Sequence, residues 1–220
     1  MPATETQSSE TQNPETQSTV REPAEAWHAT PVLAGSYVRL EPMSLDHADG
    51  LLAAVDDEVQ RHLSIPPLRT TDDVTQWVGR VFASRDDRTL VPWTQLDART
   101  GEVAGTTSYY EVSPATRSVA IGYTWLGRRW WRTGVNTEAK LLLLRRAFDE
   151  LGAVRVVWHT DIRNERSQAA ITRLGARREG VLRKHKVRRD GSWRDTVQYA
   201  MTDDDWPAVR DRLRARLAAS

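Results

Sequence analysis

A short run of residues between a predicted strand and a predicted helix carries the pattern best suited to chemistry. Residues 129–140 read Arg-Trp-Trp-Arg-Thr-Gly-Val-Asn-Thr-Glu-Ala-Lys. The strand-like segment 119–126 precedes them, and a helical pattern over about 137–151 follows. A Gly-containing turn at a helix start leaves backbone N–H groups without intrahelical acceptors, and the helix dipole adds positive charge there. Formal positive charge comes from Arg128, Arg129 and Arg132. The run therefore predicts a phosphate or pyrophosphate site.

This turn resembles the acetyl-CoA pyrophosphate loop of the GNAT (Gcn5-related) N-acetyltransferases. Their pattern is Gln/Arg-x-x-Gly-x-Gly/Ala, often continued by Thr-Glu-Ala. Gly134 and the Thr-Glu-Ala continuation match, whereas Trp131 replaces the usual Gln or Arg and Asn136 replaces the second small residue. Asn tolerates a left-handed backbone better than most residues, so this replacement is compatible with the loop.

The second half of the chain extends the resemblance. The segments Asn164-Glu-Arg-Ser167, Arg173-Leu-Gly175 and Arg178-Glu-Gly180-Val-Leu-Arg183 follow a strand in that order. They are similar to the Asn-x-x-Ser, Lys/Arg-x-Gly and Glu-Gly-x-Leu-Arg series of the RimJ/RimL-like branch of that family. The resemblance covers roughly residues 35–207, and elements in the right order are more specific than any one motif.

Composition sets broad limits on the class of protein. The chain has 220 residues, 28% charged and 39% hydrophobic, with a formal net charge of +1. The absence of cysteine excludes thiol nucleophiles, disulfides and Cys-type zinc sites, and we expect no metal. No apolar run approaches the ~18 residues needed to span a bilayer, and the N-terminus lacks the regions of a signal peptide. These features predict a cytoplasmic protein without a membrane partner.

The chain divides into a tail and one folded domain. Residues 1–26 repeat Glu-Thr-Gln three times among Ser, Pro and Asn, and carry five Glu and one Arg. Such polar sequence buries too little apolar surface to offset its ordering entropy, so we expect a disordered, solvated leader. A docking or autoinhibitory role is the alternative. Residues 27–220 are expected to form a single acetyltransferase domain.

Hydrophobic periodicity predicts the order of elements in this domain. A strand and helices come first, then three strands, a helix, a strand, a helix and two strands, with a terminal helix after them. This order predicts an α/β (α+β) fold with helices on both faces of a mixed sheet. The resemblance implies the GNAT fold, with a mostly antiparallel sheet of about seven strands. It also implies that the strands at 118–126 and 155–160 splay apart and receive the thioester-bearing arm of CoA.

The same resemblance assigns residues to acetyl-CoA, the expected cosubstrate. Backbone groups of Trp125 and Leu126 would pair with the pantetheine arm, and Asn164 would bind that arm or cap the next helix. Ser167 would lie beside the cofactor, and Arg173 would reach the adenosine phosphate. Backbone N–H groups would hold the pyrophosphate at Arg132, Thr133, Gly134, Val135, Asn136 and Thr137.

Acid and base are harder to assign. Many family members place Tyr seven residues after the Asn, where this chain has Ile171. The usual carboxylates are replaced by Lys186 and Ala120. Ser167 occupies the position of a Ser proposed to protonate the thiolate, although it also reads as a plain first-turn helix residue.

Two further side chains are candidates for proton transfer. The reference pKa of ~6.5 of His159 suits transfer near neutrality, although a strand His is often merely hydrogen-bonded. Glu111 lies at a strand end beside two tyrosines. Glu138 reads as a helix-start residue that complements the dipole, not as a base.

The sequence therefore predicts direct transfer of an acetyl group from acetyl-CoA to a primary amine, without metal or covalent intermediate. The acceptor is a protein N-terminus or a small-molecule amine, and a homodimer is left open. A non-catalytic acyl-CoA-binding or regulatory module is the main alternative. A nucleic-acid binder through the basic residues 183–189 is a third, disfavoured because interleaved aromatics are missing.

Overall fold

The computed structural model describes residues 23–61, 63 and 65–219, and their core is a single mixed sheet of eight strands in the order β1-β2-β3-β4-β5-β6-β8-β7. All neighbouring pairs are antiparallel except β5 and β6, which are parallel. The strands are β1 (Leu33–Ala34), β2 (Val38–Pro42), β3 (Leu90–Asp97), β4 (Val103–Ser113), β5 (Ser118–Leu126), β6 (Arg155–Asp161), β7 (Arg177–Val187) and β8 (Trp193–Thr202).

Seven α-helices of the described residues connect and cover these strands. They are α1 (Ala24–His28), α2 (Ala48–Ala54), α3 (Asp57–Gln60), α4 (Thr71–Asp86), α5 (Gly134–Arg145), α6 (Glu165–Leu174) and α7 (Trp206–Ala218). Successive residues of a strand point to opposite faces of the sheet, and β5 shows where two helices lie. Thr124 contacts Lys140 of α5, whereas the Trp125 ring lies 6.4 Å from the Trp77 ring of α4. Helices therefore cover both faces, as the sequence predicts.

The parallel pair β5 and β6 is joined only at its beginning. Ser118, Val119 and Ala120 pair with residues 155–157, and the strands make no further pairs along the rest of their length. Beyond Ala120 the two strands no longer pair, which leaves a gap in the hydrogen bonding between them. The splaying that the resemblance implies is thus present in this chain.

Some details differ from the sequence predictions. The sheet has eight strands, not about seven, because the two-residue strand β1 adds an edge next to β2. Helix α5 begins at Gly134, three residues before the predicted start, and a π-helical turn at Arg146–Glu150 ends it. Of the predicted tail, residues 1–22 lie outside the described residues, whereas residues 24–26 belong to α1.

Two kinds of feature are absent from the described part of the chain. Within those residues, no helix is long and apolar enough to cross a membrane. The same residues include no group of three or more His, Asp or Glu side chains placed to bind a metal ion.

Candidate active site

The first turn of α5 forms the floor of the predicted anion site. Thr133 is the N-cap residue, and its hydroxyl accepts a hydrogen bond from the Val135 N–H at 3.3 Å. Arg132, just before it, has a positive φ of 63° and turns the chain into the helix. Asn136 is a regular third residue of α5, so the left-handed position of this loop is Arg132 and not Asn136. The first N–H groups of the helix project outward from its N-terminus, and an anion is favoured there.

An open cleft of about 620 Å³ lies at this helix start. The backbone and side chains of Arg132, Thr133, Gly134, Val135 and Thr137 form one wall, and Tyr37, Asp97, Arg99, Glu102, Arg129, Trp130 and Arg216 complete it. Its two carboxylates are already engaged. The Asp97 carboxylate accepts a 3.0 Å hydrogen bond from the Trp130 indole, and Glu102 pairs with Arg129. Burial alone would raise the pKa of Asp97, but hydrogen bonds from the Arg99 N–H and Trp130 lower it below the usual value.

Of the three arginines expected to attract an anion, two are neutralised. Arg128 pairs with Asp56 at 2.6 Å, and Arg129 pairs with Glu102. No carboxylate among the described residues forms an ion pair with Arg132. Arg132 is therefore the arginine of this group best able to attract a phosphate.

Glu138 anchors α5 to the strand beside it. Its carboxylate is buried and accepts hydrogen bonds from three successive backbone N–H groups, those of Ser36 at 2.9 Å, Tyr37 at 2.6 Å and Val38 at 2.8 Å. The sequence interpretation of Glu138 as a helix-start residue is wrong, because α5 begins at Gly134 and its first turn contains no acidic residue. This contact fixes the position of the anion-binding turn relative to β2.

Trp131 connects the loop to both sides of the gap. Its indole N–H donates a 2.7 Å hydrogen bond to the carbonyl oxygen of Leu126 at the end of β5. The guanidinium of Arg166, on α6, lies 3.8 Å above the indole ring. The Leu126 carbonyl, one of the groups assigned to the pantetheine arm, thus already has a donor. Trp131 stands where other loops of this pattern carry Gln or Arg, and Arg166 brings a cation back to that position.

Helix α6 begins on the far side of the gap. The side chain of Asn164 caps it by accepting the Ser167 N–H at 3.0 Å, so the capping alternative for Asn164 is the one observed. Ser167 is half-buried in the first turn, and within the described residues its hydroxyl makes no hydrogen bond. Arg173 is exposed two turns after Arg166, so both lie on the same face of α6.

His159 of β6 lies in a hydrogen-bonded chain beside the gap. Its Nε2 is 3.1 Å from the amide oxygen of Gln198, and its Nδ1 is 2.8 Å from the Tyr110 hydroxyl. The Gln198 amide nitrogen donates to Glu179 at 3.0 Å, which turns the amide oxygen towards the imidazole. Because an amide oxygen only accepts, Nε2 of His159 carries the proton, and Nδ1 is left to accept from Tyr110. Sequence reasoning found His159 but missed both of its partners.

Two carboxylates flank the hydrogen-bonded residues Tyr110, His159 and Gln198. Glu179 also pairs with Arg155, and the hydrogen bonds from Arg155 and then Gln198 lower the pKa of Glu179 to about 2. Glu111 has a carboxylate oxygen 3.9 Å from Nδ1 of His159 and a positive φ of 48°. Burial, and secondly the charge of Glu111, raise the pKa of Tyr110, which keeps the phenol protonated. The structure therefore brings His159 and Glu111 together, whereas Ser167 makes no hydrogen bond to either.

A family-level comparison agrees with this geometry. A sequence profile described as an acetyltransferase (GNAT) domain matches residues 38–177, which is well over half of the chain. The chain belongs to the GNAT acetyltransferase family. The GNAT match includes the anion-binding turn of α5, the gap between β5 and β6, and the N-terminus of α6.

Solved structures show the same fold. A provisionally named acetyltransferase from T. thermophilus is 41% identical, with 86% of this chain and 98% of that chain covered and a TM-score of 0.79. A GCN5-related N-acetyltransferase from Brucella melitensis is 32% identical over 86% of each chain, with a TM-score of 0.81. Mycobacterium smegmatis RimJ, solved in complex with CoA-disulfide, is 22% identical over 86% of this chain and 96% of that chain, with a TM-score of 0.72. The RimJ likeness concerns the fold alone.

At the positions where other GNAT enzymes carry acid or base groups, this chain has different side chains. Ile171 is buried in α6, and Ala120 is buried at the last β5–β6 pair. Lys186 lies on the exposed edge strand β7, opposite Arg194 of β8. None of the three positions therefore carries the acid or base group that the GNAT pattern places there.

Lys140 is a buried cation that sequence reasoning passed over. It lies on the inner face of α5, and its Nζ is 2.9 Å from the Thr107 hydroxyl and 2.7 Å from the Thr124 hydroxyl. Burial lowers the pKa of Lys140 to about 7. A signal was present in the sequence, because Lys140 falls within the apolar stripe of α5, between Ala139 and Leu143.

Proposed function

We propose that this protein transfers the acetyl group of acetyl-CoA directly to a primary amine, with the cofactor held at the start of α5 and the thioester in the gap between β5 and β6. The observation that carries the proposal is the pairing of β5 with β6 at only three positions, next to a helix start that favours anions. Family membership supplies the reaction type.

The cofactor site combines backbone donors and arginines. The N–H groups of residues 132–137 would take the pyrophosphate, with Arg132 as the nearest unpaired cation of the loop. The backbone groups of Trp125 and Leu126, on the part of β5 that borders the gap, would face the pantetheine arm. Arg166 and Arg173 share a face of α6 and would meet phosphate oxygens farther along the cofactor. One group differs from this expected arrangement: the Leu126 carbonyl already accepts a hydrogen bond from the Trp131 indole.

His159 and Tyr110 are the groups best arranged to accept the acceptor's proton. An amine that attacks the thioester loses one proton as its N–C bond forms. The Tyr110 oxygen would accept it while the phenol passes its own proton to Nδ1 of His159, 2.8 Å away. Gln198 keeps the proton of Nε2 in place, and Glu111 lies 3.9 Å from Nδ1, where it stabilises the imidazolium.

The acceptor would approach from the open face of β6, β7 and β8. Trp193 on β8 is exposed there, and so is Tyr123 on the neighbouring β5. The ring centroid of His185 on β7 is 6.0 Å from that of His159. Such a broad, open surface suits a flexible chain end as well as a small amine. A protein N-terminus, as in the RimJ/RimL-like branch, and a small-molecule amine are therefore the two acceptor classes to test.

Thiol release from acetyl-CoA in the presence of an amine panel tests the proposal. The panel should contain peptides with free N-termini, the same peptides with blocked N-termini, and polyamines. Turnover that requires a free amine supports the proposal. Tight CoA binding with no thiol release across the panel would instead favour a non-catalytic acyl-CoA-binding module.

A further inference from the structure

Lys140 lies in an enclosed polar cluster that the proposed reaction does not use. Only 4% of its surface is exposed, and its Nζ contacts the hydroxyls of Thr107 on β4 and Thr124 on β5. These two hydroxyls are themselves 2.8 Å apart, so the three polar atoms form a triangle. No carboxylate of the described residues forms an ion pair with Lys140. An unpaired buried cation is costly, and such groups are concentrated at functional sites.

The triangle suits a lysine that exchanges a proton. A neutral amine closes a ring in which Nζ donates to one hydroxyl, that hydroxyl donates to the second, and the second donates to the amine lone pair. The ammonium form instead donates to both threonines and has a third N–H for which the described residues supply no acceptor. Thr107 and Thr124 therefore accommodate both protonation states of Lys140.

The two threonines of the triangle differ in burial. Thr107 is fully buried, whereas Thr124 is partly exposed. Thr124 lies four residues beyond Ala120, the last residue of β5 that pairs with β6. The β4–β5 register is also irregular here, and the neighbouring Tyr123 has a positive φ of 51°. Thr124 thus belongs to the part of β5 that no longer pairs with β6, and its hydroxyl contacts the buried amine of Lys140 and, at 3.3 Å, the Gly122 carbonyl.

We propose that Thr124 donates a proton to the departing thiolate of CoA and that Lys140 replaces this proton through the 2.7 Å contact between the two side chains. This inference rests on the proposed acetyl transfer. When the tetrahedral intermediate collapses, the C–S bond breaks and its electron pair goes to sulfur. Sulfur then takes the Thr124 hydroxyl proton, and the threonine oxygen takes one from the Lys140 ammonium. The resulting amine regains a proton from solvent before the next turnover.

The acidity of the groups favours this direction of transfer. Burial lowers the pKa of Lys140 to about 7, below the ~8.5 of an ordinary thiol, so the ammonium is able to protonate a thiolate. Other titratable groups on elements packed against α5 are engaged elsewhere. Tyr109 donates to the Leu143 carbonyl, Tyr37 to the Leu217 carbonyl, and Glu138 accepts from residues 36–38. Arg216 of α7 is a permanent cation in the cleft.

Four variants test the proposal in the full-length protein. Lys140→Met keeps an unbranched side chain only one atom shorter, and Thr124→Val keeps the shape of the threonine, so both should fold. We expect each to lower kcat by about 100-fold, in the range of a lost general acid, with KM for acetyl-CoA within a factor of about two. Thr107→Val is the matched control, since it removes the other hydroxyl that contacts Lys140, and we expect a loss of less than about fivefold. Thr124→Ser should restore most of the activity.

The pH dependence separates proton transfer from simple packing. An acid must be protonated to act, so the wild-type kcat should fall as pH rises above the pKa of Lys140, and this limb should vanish in Lys140→Met. The free energy of unfolding gives a readout independent of activity. Between pH ~7 and ~10.4 the unfolded chain binds the lysine proton and the folded chain does not, so wild-type stability should rise with pH there. This rise should be smaller in Lys140→Met.

Several outcomes would overturn the proposal. An unchanged alkaline limb in Lys140→Met, or a loss in Thr107→Val equal to that in Thr124→Val, would show that the triangle is merely structural. A wild-type protein that binds CoA but acetylates no amine would overturn the proposed function and this inference together. If the wild-type protein acetylates amines and Lys140→Met has the same kcat, this inference alone is overturned.

Discussion

A Cβ atom placed on Gly134 would lie 2.7 Å from the ring of Tyr37, which packs directly against the anion-binding turn. Gly134 does not have a positive φ, so its lack of a side chain serves this close approach and not a left-handed backbone. The hydroxyl of Tyr37 also donates to the Leu217 carbonyl at 3.1 Å, which holds the ring in place. The fixed Tyr37 ring thus leaves no room for a side chain at position 134.

We expect Gly134→Val to weaken CoA binding more than tenfold, which corresponds to about 1.4 kcal/mol, because the clash displaces the first N–H groups of α5. Titration calorimetry with CoA measures the effect. The double variant Gly134→Val/Tyr37→Ala removes the obstacle and should bind CoA within about threefold of Tyr37→Ala alone. Affinity of Gly134→Val within a factor of about two of wild type would mean that the loop does not hold CoA.

Glu138→Gln should loosen the connection between α5 and β2. The carboxylate accepts three backbone N–H groups, and an amide offers one oxygen and two unwanted donors in the same place. We expect the free energy of unfolding to fall by about 1–3 kcal/mol and CoA affinity to fall with it. Denaturant unfolding measures the first effect. Glu165→Gln, in the exposed first turn of α6, is the matched control and should leave stability unchanged.

The positions of the main elements can be predicted from the sequence. The alternating pattern of β5, the Gly at the start of α5 and the Asn-x-x-Ser at the start of α6 each have a local physical cause. The strand β1 escapes prediction because two residues carry no periodic signal. The predicted start of α5 is too late because Thr137 also resembles a cap, whereas Thr133 performs that role.

Pairwise relationships at the site could not be predicted, because they depend on which strands become neighbours. Tyr110 and His159 are 49 positions apart, and their hydrogen bond exists only because β4, β5 and β6 lie side by side. The same holds for Gln198, which reaches His159 through the β6–β8 pairing. Family patterns gave no guide here, since the usual acid and base positions are occupied by Ile171, Lys186 and Ala120.

His159→Gln should lower kcat by about 100-fold with little change in KM for acetyl-CoA, because it removes the proton acceptor and leaves the cofactor site intact. Tyr110→Phe should have a similar effect, since it breaks the 2.8 Å contact through which the proton would pass. His185→Gln is the matched control, because that ring lies beside His159 without a hydrogen bond to it. Equal losses in His159→Gln and His185→Gln would argue against a specific base.

Arg132→Ala should weaken CoA binding by about fivefold to tenfold, the scale of one charge-assisted hydrogen bond. Arg128→Ala should have a smaller effect, because Arg128 already pairs with Asp56 at 2.6 Å. The difference between the two variants should shrink as salt is added, since exposed charges are screened. Calorimetry at low and high ionic strength measures both. A larger loss in Arg128→Ala would place the phosphates nearer to residue 128.

Acid should weaken the sheet edge that supports His159. Hydrogen bonds from Arg155 and Gln198 lower the pKa of Glu179 to about 2 in the folded protein, whereas the unfolded chain has the ordinary value of ~4.3. A lowered carboxyl pKa contributes stability above the unfolded value, and this contribution is lost as pH falls from about 4.3 towards 2. Thermal unfolding of Glu179→Gln should therefore depend less on pH in that window than unfolding of wild type. The partly exposed pair is screened by solvent, so the effect should be modest, and Glu165→Gln should leave the wild-type slope unchanged. Identical slopes for Glu179→Gln and wild type would show that the Arg155–Glu179–Gln198 contacts do not persist in solution.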